Sequence, residues 1–510
     1  MVETHFKFFK FQPSILYKKE PTIIFDCPAR ITPTKNEIPV FLFIKEYLNE
    51  KFGFGAQKVE IQIVSKGKII GNYFFENIEE YKTYEKYGLT AYRFPVEKPK
   101  LENEKIFVYP KIGNIAVDNI NSSSKMPFSV FLANEGYPNY ENFPAKYYDL
   151  HCHSNHTNDH IEFGAPVVCI SDVAEHCGLD GVAITDHSYD LSCKPENFLE
   201  KDENLMHWND LCRGDCPQSP AVLLGEEISV RRNNGGAVHL GAIGLKSFVA
   251  GTADGARSGY KRKNEPTINE AVKSVLDDGG IVFAAHPGEI PNFIHRLFLR
   301  RDYWRFSDFK NLPVTAFQAV NGNFDKNWRT ARKLWIKLLL SGKKNPLIAG
   351  NDSHGDFNRY RAMNIPFVSI EENFERHFGK ARTGIYLREK REERREKNII
   401  EAIKNGQTFI TTGPYLSIKD AKIVVKSSNE FGKIKRIWVF FGNYKNKKEE
   451  CAVVNFADEK YNYSQEISPK LLETCDYFRA ECECENEKGV FCFAATSAVY
   501  IKNSLILDFF

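Results

Sequence analysis

Two histidines spaced two residues apart, His151 and His153, close the run Tyr148-Asp149-Leu150-His151-Cys152-His153-Ser154. Residues i and i+2 of a β-strand project from the same face, so this spacing lets two imidazoles reach one metal ion. Histidines and carboxylates recur at the ends of later apolar runs: Asp186-His187, Glu226-Glu227, His239, His286 and Asp352-Ser353-His354. Imidazole and carboxylate donors without clustered thiolates suit Zn, Mn or Fe in a hydrolytic centre better than a structural zinc finger. A single histidine is more often a hydrogen-bonded structural residue, and His5, His176, His207, His295 and His377 are read that way. Packing alone needs no joint pattern, yet His151, His153, Asp159, His187, Glu227, His239, His286, Asp352 and His354 all fall at or near expected strand ends. These donors outnumber what one tetrahedral or octahedral ion takes, so more than one divalent transition-metal ion is expected.

The elements that must carry these residues lie in the middle of the chain. From about 145 to 415, apolar strand-like runs alternate with helical patterns, the signature of a βα barrel or a parallel sheet. Strands are expected at Tyr147 to His151, Gly181 to Thr185, Ala221 to Ile228, Val238 to Ile243, Ile281 to Ala285, Val314 to Val320 and Pro346 to Ala349. Helices are expected at Val167 to Cys177, Ile268 to Asp278, Trp328 to Ser341 and Lys397 to Asn405. Barrels build their sites at the C-terminal ends of strands, where these residues sit. Residues 1–144 alternate β-branched and aromatic runs with Gly-, Asn- and Lys-rich turns and read as a mainly β accessory domain. One amphipathic helix is expected there near Val40 to Lys51, where Phe41, Ile44 and Leu48 fall at helical spacing, and the polar run Asn119 to Lys125 reads as a linker. Residues 416–510 return to short strands and read as a small β-sandwich-like domain.

Composition narrows the function classes. With 69 basic against 66 acidic residues the net charge is +3, which predicts no strong attraction to nucleic acid or to a membrane surface. No apolar run approaches the roughly 20 residues a bilayer span needs, and no basic segment leads into an apolar signal region, so a cytoplasmic location is expected. Twelve cysteines in 510 residues are too few for a disulfide scaffold and are read as mostly reduced.

The motifs His151-Cys152-His153-Ser154, Gly178-Leu179-Asp180-Gly181-Val182-Ala183-Ile184-Thr185-Asp186-His187, Gly225-Glu226-Glu227-Ile228, His286-Pro287 and Gly350-Asn351-Asp352-Ser353-His354 follow one another in order. Together they resemble the PHP family, the polymerase and histidinol phosphatase metallohydrolases, over about half the chain. The resemblance implies a distorted, TIM-like (β/α)7 PHP barrel, flanked here by N-terminal and C-terminal mainly β domains, with up to three metal ions. It implies His151, His153, Glu227 and Asp352 on a first ion, Glu227 bridging to a second held by His239 and His286, and Asp159, His187 and His354 on a third. Asn158 stands where the family's usual acidic residue lies, next to Asp159. Glu226 adjoins Glu227, and on a regular strand only one of that pair can face the site. The segments Asn405 to Pro414 and Cys492 to Tyr500 resemble the subgroup that includes the carbaryl hydrolases.

The expected activity is metal-dependent hydrolysis of a small phosphorylated molecule by an activated water. Asp186 is a catalytic candidate, able to orient a ligand imidazole or accept a proton, and equally a strand-end turn residue. Arg231 and Arg232, and the loop residues Arg257, Lys261, Arg262 and Lys263, are candidates for holding a substrate phosphate. Two alternatives stand beside this reading: a carboxylic or carbamate ester hydrolase, and a non-catalytic PHP module.

Overall fold

The computed structural model describes residues 22–45, 58–113, 127–157, 164–195, 197–213, 220–252, 265–293, 296–297, 300–313, 315–359, 362–365, 368–371, 376–387, 395–457, 460–502 and 505–507. The site-bearing stretch forms β1 (Ala145–His153), α1 (Val167–Cys177), β2 (Gly181–Ile184), β3 (Ala221–Arg231), β4 (Ala237–Ile243), α2 (Ile268–Asp277), β5 (Ile281–Ala284), β6 (Ala316–Asn321), α3 (Lys326–Leu340) and β7 (Leu347–Gly350). Local chemistry sets the helix ends. Gly178 takes the left-handed conformation at φ 87° and stops α1. Thr267 and Glu270 form a reciprocal capping box on α2. The Asp325 carboxylate accepts from the amides of Asn327 and Trp328 at the start of α3.

The expected distorted (β/α)7 barrel is not what the chain builds. The strands lie in the order β7-β6-β5-β4-β3-β2-β1 within one sixteen-stranded sheet that runs on through Arg382–Tyr386, Thr408–Thr411 and Phe491–Thr496 into C-terminal strands. β1 pairs parallel with β2 and β2 with β3, but β3, β4 and β5 are antiparallel neighbours. The reason lies in a connection. Only the short turn from Arg232 to Gly236, with Gly235 at φ 84°, separates β3 from β4, whereas parallel strands need a crossover of about a dozen residues or more. Two apolar runs that resemble successive βα units are in fact the arms of a hairpin, and the described residues are dominated by strands.

The sheet curls until β7 reaches β1. The amides of Asn351 and Asp352 donate to the His151 carbonyl at 3.2 and 2.8 Å, and Ser353–His354 pairs parallel with Cys152 and His153. Buried Asp149 accepts from the Asn351 amide at 3.1 Å and the Gly379 amide at 3.1 Å along the same seam. At Gly350 a Cβ would lie 2.5 Å from the His151 Cβ and 2.6 Å from its amide. Gly350→Ala is therefore expected to cost about 1–3 kcal/mol or more by overpacking and to displace His151. A lowered melting temperature together with reduced metal content checks this; an unchanged protein would place the seam elsewhere.

The described residues between 22 and 132 form two sheets. Thr22–Asp26, Glu37–Lys45, Leu89–Glu97 and Lys82–Lys86 make one, and Arg30–Ile31, Phe128–Leu132, Glu104–Ile112, Val59–Ser65 and Lys68–Phe75 the other. The expected helix from Val40 is a strand through Lys45, and the rest of that expectation, together with the expected Asn119 to Lys125 linker, lies outside the described residues. Both faces of this strand are buried: Val40, Leu42 and Ile44 enter the core between the two sheets, while Phe41 and Phe43 pack on the central region. Burial on both sides erases the alternation that marks a half-exposed strand. Asp26, at the end of Thr22–Asp26, accepts from the amides of Phe357 and Asn358 at 2.8 and 2.9 Å, which ties this region to the loop after His354.

Candidate metal centre

Glu227 is the hub. Neighbours on a strand face opposite ways, and on β3 Glu227 turns to the histidines while Glu226 turns away to accept from the Val249 amide at 2.9 Å. Glu227 Oε1 lies 2.7 Å from His239 Nδ1 and 2.8 Å from His286 Nε2. Its Oε2 lies 3.1 Å from His187 Nδ1, 3.4 Å from His153 Nε2 and 3.6 Å from His151 Nε2. The donors come from five places: β1, the segment three residues beyond β2, mid-β3, β4 and the turn after β5.

The second focus is Asp352, on the turn after β7. Its Oδ1 sits 3.1 Å from His153 Nε2 and 3.6 Å from His151 Nε2, and those two ring nitrogens are 3.3 Å apart. Oδ2 is engaged from the other side by Arg376 Nη1 at 2.8 Å and Asn321 Nδ2 at 3.2 Å. His354 stacks on His153 with ring centroids 4.0 Å apart, its Nδ1 donating to the Asp352 carbonyl at 3.1 Å. Asp352 and His286 both hold positive φ, 52° and 30°, a conformation costly for non-glycine residues that the surrounding structure has to maintain.

Three groups of ligand atoms each lie within 4.8 Å of one another: His153, His187 and His354; His151, His153, Glu227 and Asp352; His187, Glu227 and His239. The donors fit divalent transition metals. Every one is buried, the set is imidazole and carboxylate, and the nearby Cys152 thiol is directed at the Ala183 carbonyl instead. Gln318 Oε1 takes the Nδ1 proton of His151 at 2.8 Å and the His286 amide at 3.0 Å, which leaves His151 Nε2 as the donor atom facing the cluster.

Electrostatics follow from this packing. Burial would lower the His151 imidazolium, but Glu227 and Asp352 outweigh it and raise it to about 9. Burial and the neighbouring His354 and His187 push His153 down, toward the neutral form that binds metal. For Glu227 and Asp352 the burial penalty is overcome by the facing histidines, and both stay well below the ordinary carboxylate range, whereas burial drives Glu226 well above it. A proton on His151 competes with metal. Zinc uptake is therefore expected to release protons and to tighten by up to about tenfold per pH unit between pH 7 and about 9. Calorimetry in buffers of different ionisation enthalpy measures the proton count; pH-independent uptake would show that His151 is not displaced.

The other expected residues are placed as follows. Asp186 is fully buried and accepts from the Ser154 amide and hydroxyl, both at 2.7 Å, and from the Thr157 hydroxyl at 2.8 Å. Thr157 Oγ1 in turn lies 3.3 Å from His153 Nδ1, so Asp186 acts on the cluster through the loop it organises. Arg232 is buried between Asp302 and Asp308, its Nη2 2.9 Å from Asp308; neither it nor Arg231 lines the cavity beside the histidines. His207 is buried with its Nδ1 3.1 Å from His156 Nδ1, and Tyr189 stacks on His187 at 4.6 Å. Asn158, Asp159, Arg257, Lys261, Arg262 and Lys263 lie outside the described residues.

Sequence reasoning missed Arg301, Arg376, Glu289, Gln318 and Asn321. Gln318 and Asn321 carry a signal, since both are polar residues in the otherwise apolar β6. Arg301 and Arg376 carry none, because they stand among ordinary charged neighbours. Arg301 Nη2 lies 2.8 Å from His239 Nε2, and Arg376 Nη2 lies 2.6 Å from Glu289. Both line a cavity of about 550 Å³ that opens beside His239 and His286, together with Lys326, Asn327, Tyr303 and Trp304.

No protein-family model matches the chain, and no curated protein matches it. Among solved structures, a glycosyl hydrolase family 2 member from Bacteroides cellulosilyticus is similar at 10% identity over 92% of this chain and 68% of its own, with a TM-score of 0.19. A β-glucuronidase from Bacteroides uniformis is similar at 9% identity over 94% and 60%, with a TM-score of 0.18. These likenesses are too slight to transfer a fold or an activity. Among the described residues, no helix is long and apolar enough to cross a membrane.

Proposed function

We propose that the chain is a metal-dependent hydrolase whose substrates are small phosphoesters. The observation that carries this reading is the convergence of His151, His153, His187, His239, His286 and His354, all buried but the half-buried His286, on Glu227 and Asp352 beside a cavity lined by Arg301, Arg376 and Lys326 against Glu289 and Asp302. His151, His153, Glu227 and Asp352 would hold one ion, with His187, His239, His286 and His354 completing one or two more. The ordered motifs that resemble the PHP family support the same set. Divalent ions held there supply Lewis acidity and a water acidic enough to attack at neutral pH.

The chain's own residues do the rest. Gln318 fixes the His151 tautomer, and Arg376 and Asn321 hold the outer oxygen of Asp352. Asp186 holds the loop that carries Thr157 against His153. Arg301, Arg376 and Lys326 outnumber the carboxylates Glu289 and Asp302 around the cavity, and this balance suits a phosphoryl group better than a neutral ester. After loading with Zn, Mn or Fe, phosphate mono- or diesters are expected to turn over at least about tenfold faster than carboxylic or carbamate esters of similar size. A panel of both measures this. Turnover of aryl or carbamate esters with every phosphoester left intact would replace this reading with the ester-hydrolase one.

A further inference from the structure

The loop that follows His153 is gripped from outside the central region. Within it, the Thr157 hydroxyl donates to Asp186 at 2.8 Å, so Thr157 Oγ1 has only lone pairs left to offer His153 Nδ1 at 3.3 Å. That puts the ring proton of His153 on Nδ1 and leaves Nε2 to face Glu227 and Asp352. Two further contacts on the loop come from the N-terminal hairpin of Lys82–Lys86 and Leu89–Glu97. Asn155 Nδ2 donates to the Tyr84 hydroxyl at 2.8 Å. Tyr87 packs edge-on against His207 with centroids 4.8 Å apart and against His156 at 6.2 Å, and those two imidazoles meet through their Nδ1 atoms at 3.1 Å. Burial pulls His156 down to about 4 and His207 to about 3, so at neutral pH one ring donates to the other. Lys86 and the Tyr87 hydroxyl both reach Asp210, which shares the helix Met206–Arg213 with His207. Asn155, His156 and Thr157 are all buried. Tyr87 and Gly88 form the hairpin's two-residue turn, and both hold positive φ, 53° and 69°. Asn-Gly makes such a turn most easily, and a tyrosine held left-handed is strained. The tyrosine is therefore explained by what its ring touches and not by the turn.

We propose that Tyr84 and Tyr87 are positioning residues of the metal centre: through Asn155 and His156, the N-terminal hairpin fixes the loop whose Thr157 sets the protonated nitrogen of His153. The assignment rests on the metal reading of the histidine cluster, and it gives the N-terminal sheets a part in that centre. Partners that orient a ligand imidazole tune metal affinity without touching the ion.

The test measures zinc affinity by competition with a chelator, alongside the melting temperature of the metal-free protein. Tyr84→Phe is expected to bind zinc about tenfold more weakly, the low end of what loss of an outer hydrogen-bond partner costs a metal site. Tyr92→Phe is the control. It removes a hydroxyl from the same hairpin, one that donates to Glu79 at 2.9 Å and not to the loop, so its zinc affinity is expected to match wild type. Asn155→Ala is expected to lose as much zinc affinity as Tyr84→Phe, and the double variant no more than either, because one hydrogen bond joins the pair. Thr157→Val is expected to lose at least as much, and Thr157→Ser, which keeps the hydroxyl, to recover it. Tyr87→Asn separates position from stability. Asparagine suits the left-handed turn, so the melting temperature is expected to hold while zinc binding weakens. Zinc affinities of Tyr84→Phe and Tyr87→Asn equal to the control's overturn this assignment alone, whatever their melting temperatures. Wild type that takes up no zinc overturns the metal reading and this assignment together.

Discussion

His153→Ala is expected to lower metal-dependent turnover by at least about 10³-fold while the chain keeps its fold. His153 belongs to two of the three ligand groups, one with His187 and His354 and one with His151, Glu227 and Asp352, so a single truncation depletes both. Its Nε2 faces His151, Asp352 and Glu227, all within 3.4 Å. The strand itself does not depend on the imidazole. β1 is held by backbone ladders to β2 and to Arg382–Tyr386, and by buried Tyr148 and Leu150. Circular dichroism, elemental analysis and turnover on the same preparation separate the effects. Global unfolding of the variant would make the metal structural, and retained activity would remove His153 from the centre.

Glu227→Gln is expected to weaken metal binding by more than the roughly 10–100-fold that loss of an outer hydrogen-bond partner costs. The amide would set a weak donor group where five imidazoles converge, and it removes the negative charge nearest His239 and His286. A second consequence has a definite sign. Glu227 is the larger of the two carboxylate influences that raise His151, so the His151 imidazolium falls toward its ordinary value in the variant. The pH dependence of metal uptake between pH 7 and about 9 then flattens. Glu226→Gln serves as the control, because that carboxyl faces Val249 on the opposite side of β3, and its metal content is expected to match wild type. Full metal content in Glu227→Gln, or loss confined to Glu226→Gln, would reverse the assignment of the pair.

The phosphoester panel, the proton count and the two variants probe different links. The first asks what the cavity accepts, the second which nitrogen loses a proton, and the variants which donors hold metal. Gly350→Ala adds the link from packing to chemistry, since the clash it creates is with His151 and not with any substrate.

The sequence by itself determined the donor types and most of the elements that carry them. Residues two apart on a strand share a face, so His151 and His153 had to point together wherever that strand lay, and Glu226 and Glu227 had to point apart. The capped helices and the apolar runs around them were legible for the same reason, because their signals lie within a few residues of one another. Tertiary structure alone decided which of the paired glutamates turns to the histidines, because facing is set by the strand's neighbours. It also decided that β3 and β4 form a hairpin within a mixed sheet, and that Glu37–Lys45 is a strand, because partners on both of its faces hide its period. Arg301 and Arg376 belong to that second class as well: they lie 62 residues from His239 and 24 from Asp352 along the chain, and only the curl of the sheet brings their charge to the site.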